Sequence, residues 1–115
     1  MASSFKNAGL DVGVLDASAG DIYTAGGSVT AVIHAVYISN LSTTNDAKVN
    51  VKVTIDGGST FRHVGRSLNV PANNTLVLDK PINLEPSDII RIYADVLADS
   101  STPTAEVVAS ILEVT

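Results

Sequence analysis

His34 and His63 are the only imidazoles in the chain. A two-histidine metal site would need both on adjacent strands together with a carboxylate. His34 sits inside an apolar run, and His63 lies between Arg62 and Arg66, where a second cation is repelled. The pair reads as one packed histidine and one solvated one. Asp16, Asp21, Asp95 and Asp99 could be imagined as calcium ligands or as an acid/base couple, but their spacing matches no calcium loop. Asp16, Asp21, Asp56 and Asp99 are explained more simply as turn residues bonding their own backbone. Serine and threonine abound, yet no Gly-x-Ser-x-Gly elbow accompanies them. Gly26-Gly27 and Gly57-Gly58 lack the helix and lysine of a phosphate-binding loop, and read as turns.

One basic concentration remains, Arg62, His63 and Arg66, just past a hairpin centred on Asp56. It could dock on an acidic protein surface, or be a solvated hairpin face. With Tyr93, whose removal would test a glycan-binding reading, these are the candidate partner contacts. Tyr37 and Tyr93 lie on different strands and there is no tryptophan, so an aromatic sugar platform is not indicated. No nucleophile and base can be paired, so the chain is expected to be no enzyme, with no catalytic residue, metal or cofactor.

These residues must be positioned by a single domain, since 115 residues suffice for one core. Aromatic residues are limited to Phe5, Tyr23, Tyr37, Phe61 and Tyr93, so the core is expected to be aliphatic. A formal charge of −5 without a lysine or arginine run argues against nucleic acid. The absence of cysteine removes disulfides and thiolate chemistry. Neither a signal peptide nor a membrane-spanning run of about 20 apolar residues is legible, so synthesis and initial residence in a cytoplasm are expected. Asn40-Leu41-Ser42 and Asn73-Asn74-Thr75 match the glycosylation pattern, but without an export signal they carry no weight.

Residues 1–28, rich in Gly, Ala, Ser and Asp, read as an extended N-terminal arm with one or two short strands, preceding a β-sandwich domain over 29–115. Thr30 to Asn40 is a strand with apolar residues in both alternating sets, Ile33, Ala35 and Tyr37 against Val32, Val36 and Ile38. It should be covered on both faces. Ala47 to Ile55 alternates Val49, Val51, Val53 and Ile55 with Lys48, Asn50, Lys52 and Thr54, predicting one core face and one wet face. Asp56-Gly57-Gly58-Ser59 supplies the turn, and Thr60 to Val64 the partner strand, with Gly65 breaking the pattern. Thr75 to Asp79 is a strand, Pro81 to Pro86 a bend, and Asp88 to Val96 a strand with Ile90 and Ile92 on its core side. Ala98 to Thr104 is a loop. Ala105 to Val114 fits a strand or a helical face, and its valine content favours a strand pairing the first edge. Thr30 to Asn40 and Ala105 to Val114, each apolar in both alternating sets, cannot both be central in so small a sandwich, so another copy of the chain is expected to cover the surplus.

Ile22-Tyr23-Thr24, Ile38-Ser39-Asn40, Leu84-Glu85-Pro86-Ser87-Asp88 and the closing Val-Ala-Ser-Ile-Leu-Glu-Val resemble the patterns of small structural proteins of tailed bacteriophages, from about Asp21 onward. In similar proteins a glycine often stands where Ser87 does. The resemblance implies an all-β antiparallel sandwich, jelly-roll-like, acting as a decoration (cement) protein on the capsid exterior of a virion assembled in the host cytoplasm. It also implies a homotrimer, with the major capsid protein as partner. A tail, neck or fibre component, or a receptor- or carbohydrate-binding β-module, is the alternative.

Overall fold

In the computed structural model, residues 2–96 and 104–115 are described, the side chain of Val96 excepted. Alternation of valine and polar residues makes β4 (Ala47–Thr54) a strand, and it is the hub of one sheet. Gly57 and Gly58, with φ of 80° and 104°, turn the chain into β5 (Phe61–Val70). The remaining strands are β1 (Ser3–Asp11), β2 (Gly20–Thr24), β3 (Thr30–Asn40), β6 (Thr75–Leu78), β7 (Ile82–Leu84), β8 (Ile89–Val96) and β9 (Ala105–Val114). A 3-10 turn, Asp16–Ser18, lies between β1 and β2. Of the loop expected at Ala98 to Thr104, residues 98–103 lie outside the described residues, Asp99 among them.

Two antiparallel sheets pack face to face. Sheet A has the order β1-β9-β3-β6, with β7 extending β6 along the same edge of β3. Sheet B has the order β2-β8-β4-β5. Counting β6 and β7 as one interrupted strand, the pairs β1–β9, β2–β8, β3–β6 and β4–β5 nest inside one another, which is the jelly-roll winding. Pro81 has no N–H to give to the ladder, so the edge of β3 is served in two pieces.

The interior is aliphatic. Ile33, Val36, Ile38, Val49, Val51, Ile90, Ile92 and Ile111 are fully buried in one cluster. Tyr23 of β2 reaches across the sandwich to donate to Glu113 of β9, tying the sheets at one end. Burial and that bond raise the Tyr23 phenol above its ordinary range and lower the Glu113 carboxyl.

Several expectations about the strands need correction. Residues 1–28 are not an arm apart from the sandwich: β1 runs the length of β9, and β2 is the edge of sheet B. Gly65 does not end β5, which passes it through two register shifts and continues to Val70. Ile55 is 61% exposed, because β4 stops at Thr54, whose hydroxyl bonds Asp88 and accepts from the Ile89 N–H. The third strand does not present two equivalent apolar faces. Pairing shifts between Ile33/Ile111 and Ala35/Ser110, so His34 is an extra, bulged residue that switches the parity. Ala31, Ile33, Val36 and Ile38 therefore all point inward.

Turn chemistry is equally specific. Buried Asp88 accepts from the Gly57 N–H, the Glu85 N–H and the Thr54 hydroxyl, holding the β4–β5 loop and the Glu85–Asp88 turn with one carboxylate. Buried Asn40 donates to the carbonyls of Asn45 and Val70 and accepts from the Ser42 N–H, closing the polar loop after β3.

Candidate partner-binding face

Alternation on β4, β5 and β8 sends Lys52, Asn50, His63, Arg91, Tyr93 and Asp95 to the outer face of sheet B, opposite the core. The expected wet face of β4 is not wet. Lys52 is 6% exposed and Asn50 1%. Lys52 lies with Nζ 5.0 Å from the Phe61 ring centroid and 5.3 Å from that of Tyr93, and pairs with Asp16 at 2.5 Å. A lysine stem covers apolar surface while its ammonium keeps a partner, and ring faces attract the cation.

Asp16 arrives from the 3-10 turn. That turn is anchored because Gly13 and Leu15 bond the backbone of Ala94, on the part of β8 that extends past its ladder with β2. Only glycine fits at position 13, where a Cβ would stand 2.3 Å from the Ser18 carbonyl. The hydrogen bond from Lys52 holds the Asp16 carboxyl below its ordinary range.

Around this centre the contacts are mutual. Arg91 pairs with Asp21 and stacks its guanidinium 4.0 Å over Phe61. His63 Nε2 lies 3.0 Å from the Tyr93 hydroxyl, their rings edge to face. Asp95 accepts from Ser67 Oγ at 2.7 Å and Asn50 Nδ2 at 3.0 Å, and both bonds lower its pKa. Asn50 in turn accepts from the Ser67 N–H, which supports the positive φ of Ser67 in the β5 bulge.

Of the four residues singled out in the sequence, His63 and Tyr93 meet directly, whereas Arg62 and Arg66 are exposed along the edge strand β5. Arg62 forms no hydrogen bond or ion pair with a described residue, and Arg66 contributes a field that favours ionised Asp95. Sequence reasoning missed Asp16, Lys52, Phe61 and Arg91. The signal available was the odd company of Lys52 in a valine strand. Histidines 34 and 63 belong to different sheets, and His34 instead lies exposed, its ring 6.4 Å from Phe5. No group of three metal-ligating side chains exists among the described residues. The two carboxyls of this face with shifted pKa, Asp16 and Asp95, are both held ionised, so the face presents charge and hydrogen bonds. A groove of about 320 Å³ lies where Val64 of β5 meets Val77 and Ile82 of the β6–β7 edge. No helix is long and apolar enough to cross a membrane among the described residues.

No family model and no curated protein matches the sequence. Among solved structures, the chain is similar to one in the crystal structure of the T13 IBDV viral particle, with a TM-score of 0.57 and 9% identity. That likeness covers 96% of this chain and 30% of the other. A chain in the structure of the infectious bursal disease virus Gt strain gives a TM-score of 0.48 at 8% identity, over 96% of this chain and 32% of that one. The chain thus spans about a third of the length of these proteins. What is shared is the fold: an all-β sandwich of two antiparallel sheets.

Proposed function

We propose that this chain is a virion structural protein, a decoration protein that binds the capsid exterior of a tailed phage and stabilises the assembled shell. The observation that carries this reading is the likeness of fold to a chain of a viral particle over nearly the whole of the sequence. The sequence resemblance to phage structural proteins supports it.

The major capsid protein is the partner in this reading, and β5 is the contact edge. Arg66 is exposed there on the side of Asp95 and Arg62 on the opposite side of the same edge strand, across from Val53, and both suit acidic groups on a shell surface. The mechanism is mass action. A protein that binds the closed lattice and not its separated subunits stabilises the lattice by its binding free energy, multiplied over many copies.

The test is to heat particles with and without the protein. Particles lacking it should break at lower temperature, and re-addition of the wild type should restore them. Re-addition of an Arg62→Glu, Arg66→Glu double variant should not. Particles that survive heating unchanged but fail to adsorb to their host would replace this reading by the receptor-binding one. Electron microscopy placing the protein at the neck or tail would replace it by that location.

A further inference from the structure

The outer face of sheet A differs from that of sheet B. Register across β6/β7, β3, β9 and β1 arranges its outward residues in rows. One row is Val77, Tyr37, Val108 and Gly9, and another is Asn83, Val32, Leu112 and Phe5. Between them lies a row of small or polar residues, Ala35, Ser110 and Asn7. Val77, Tyr37 and Val108 are 43–46% exposed and Phe5 84%, the most exposed large apolar side chain among the described residues. The charges that the register places on this face, the two acids Asp11 and Glu106, stand side by side in one end row, while Ser3, Val114 and Thr30 occupy the opposite end.

An apolar row thus flanks the central row on each side, with His34 beside Phe5 on one side and the acidic end row on the other, and a second copy turned over matches these rows to one another. A half-turn about an axis lying along the Ala35–Ser110–Asn7 row lays each apolar row of one copy on the other apolar row of a second copy. On β1 it lays Phe5 of one copy over Gly9 of the other. Gly9 has no side chain to obstruct that ring, and a Cβ there would stand 2.8 Å from the Val107 carbonyl, so this part of β1 stays flat under it. The same turn sets Asp11 and Glu106 against uncharged end residues. An axis running along β9 would instead oppose Glu106 to itself.

The size is sufficient. Four strands about 4.8 Å apart and nine residues at about 3.3 Å each give on the order of 550 Å² per copy, roughly 1,100 Å² in all. That is above the ~1,000 Å² that a specific interface requires.

We infer that two copies of the chain associate face to face through sheet A, by an isologous two-fold contact in which Phe5 covers the partner's Gly9. A self-complementary face closes at two copies, so the copy number is two and not three. The β5 edge belongs to the other sheet and stays free in the pair. The inference goes beyond the virion reading and does not depend on it, since it concerns the isolated chain.

Sedimentation equilibrium of the full chain at 1–100 µM tests it. The expected mass is that of two chains, falling to one in Val108→Asp with an unchanged circular-dichroism spectrum, and remaining at two in Arg62→Glu. Because the chain has no cysteine, a single Ser110→Cys substitution on the axis should cross-link pairs on mild oxidation, whereas Asn69→Cys on the opposite sheet should not. A one-chain or three-chain mass for the wild type overturns the inference. So does a two-chain mass that Val108→Asp leaves intact, or the absence of a Ser110→Cys cross-link.

Discussion

Lys52 and Asp16 form an ion pair whose two ends live in different solvents: the lysine side chain is 8% exposed and the aspartate 60%. Removing the buried end therefore matters through packing. Lys52→Ala uncovers the Phe61 and Tyr93 rings and releases the 3-10 turn, and should cost about 1–2 kcal/mol. Lys48→Ala, on the same strand and exposed, should be silent within about 0.5 kcal/mol. Denaturant midpoints of the two variants check the contrast.

The core gives a second contrast. Val51 is fully buried and Ile55 lies outside the last ladder pair of β4. Val51→Ala should cost about 1–3 kcal/mol by lost burial and a residual cavity. Ile55→Ala should cost less than about 0.5 kcal/mol. Equal losses would show that β4 continues beyond Thr54 in solution.

Ser87 has φ of 70°, a left-handed conformation that costs a side chain about 1 kcal/mol. Ser87→Gly should therefore raise stability by roughly 0.5–1 kcal/mol, seen as a higher melting temperature. A lower melting temperature would show that the Ser87 side chain contributes a contact larger than the backbone cost.

Stability should fall at both ends of the pH scale. Asp16 is lowered by its bond from Lys52, Asp56 by the Thr60 N–H, Asp95 by Ser67 and Glu113 by Tyr23. Each ionises more readily folded than unfolded, so its contribution is present above the ordinary values of 3.8 and 4.5 and is lost as pH falls below them. Tyr23 is the reverse. Burial first, then the bond to Glu113, keep it neutral in the fold above its ordinary 10.0, so its contribution is lost as pH rises past that value. Chemical denaturation from about pH 2 to pH 11 should trace this dome, and Tyr23→Phe should flatten the alkaline limb.

How far the sequence was legible follows from which information is local. The alternation of β4 and β8 is written in consecutive residues, so Val49, Val51, Val53, Ile90 and Ile92 were readable as core. The bulges at His34, Val64 and Ser67 were not, because an extra residue is defined only against its partner strand. Missing the first of them inflated the apparent second apolar face of β3. The outer face of sheet B failed for a related reason. Lys52 is buried by Asp16, Phe61 and Tyr93, and two of these come from outside its own hairpin. His63 and Tyr93 were both noted, but their contact depends on β4 lying between β5 and β8.

The order of sheet A carries a kinetic consequence. β9 lies between β1 and β3, which do not pair with each other, and its last residues bond the first: Ser3 is opposite Val114. While residues 105–114 are still being synthesised, β1 has no ladder to join and the apolar inner sides of β3 and β8 lack half their cover. The β4–β5 hairpin can form as it leaves the ribosome, but the sandwich cannot close until this segment has emerged. Folding is thus a late, long-range event, in the slow range of about milliseconds to seconds for such topologies. A nascent chain stalled before Ala105 should be protease-sensitive throughout sheet A.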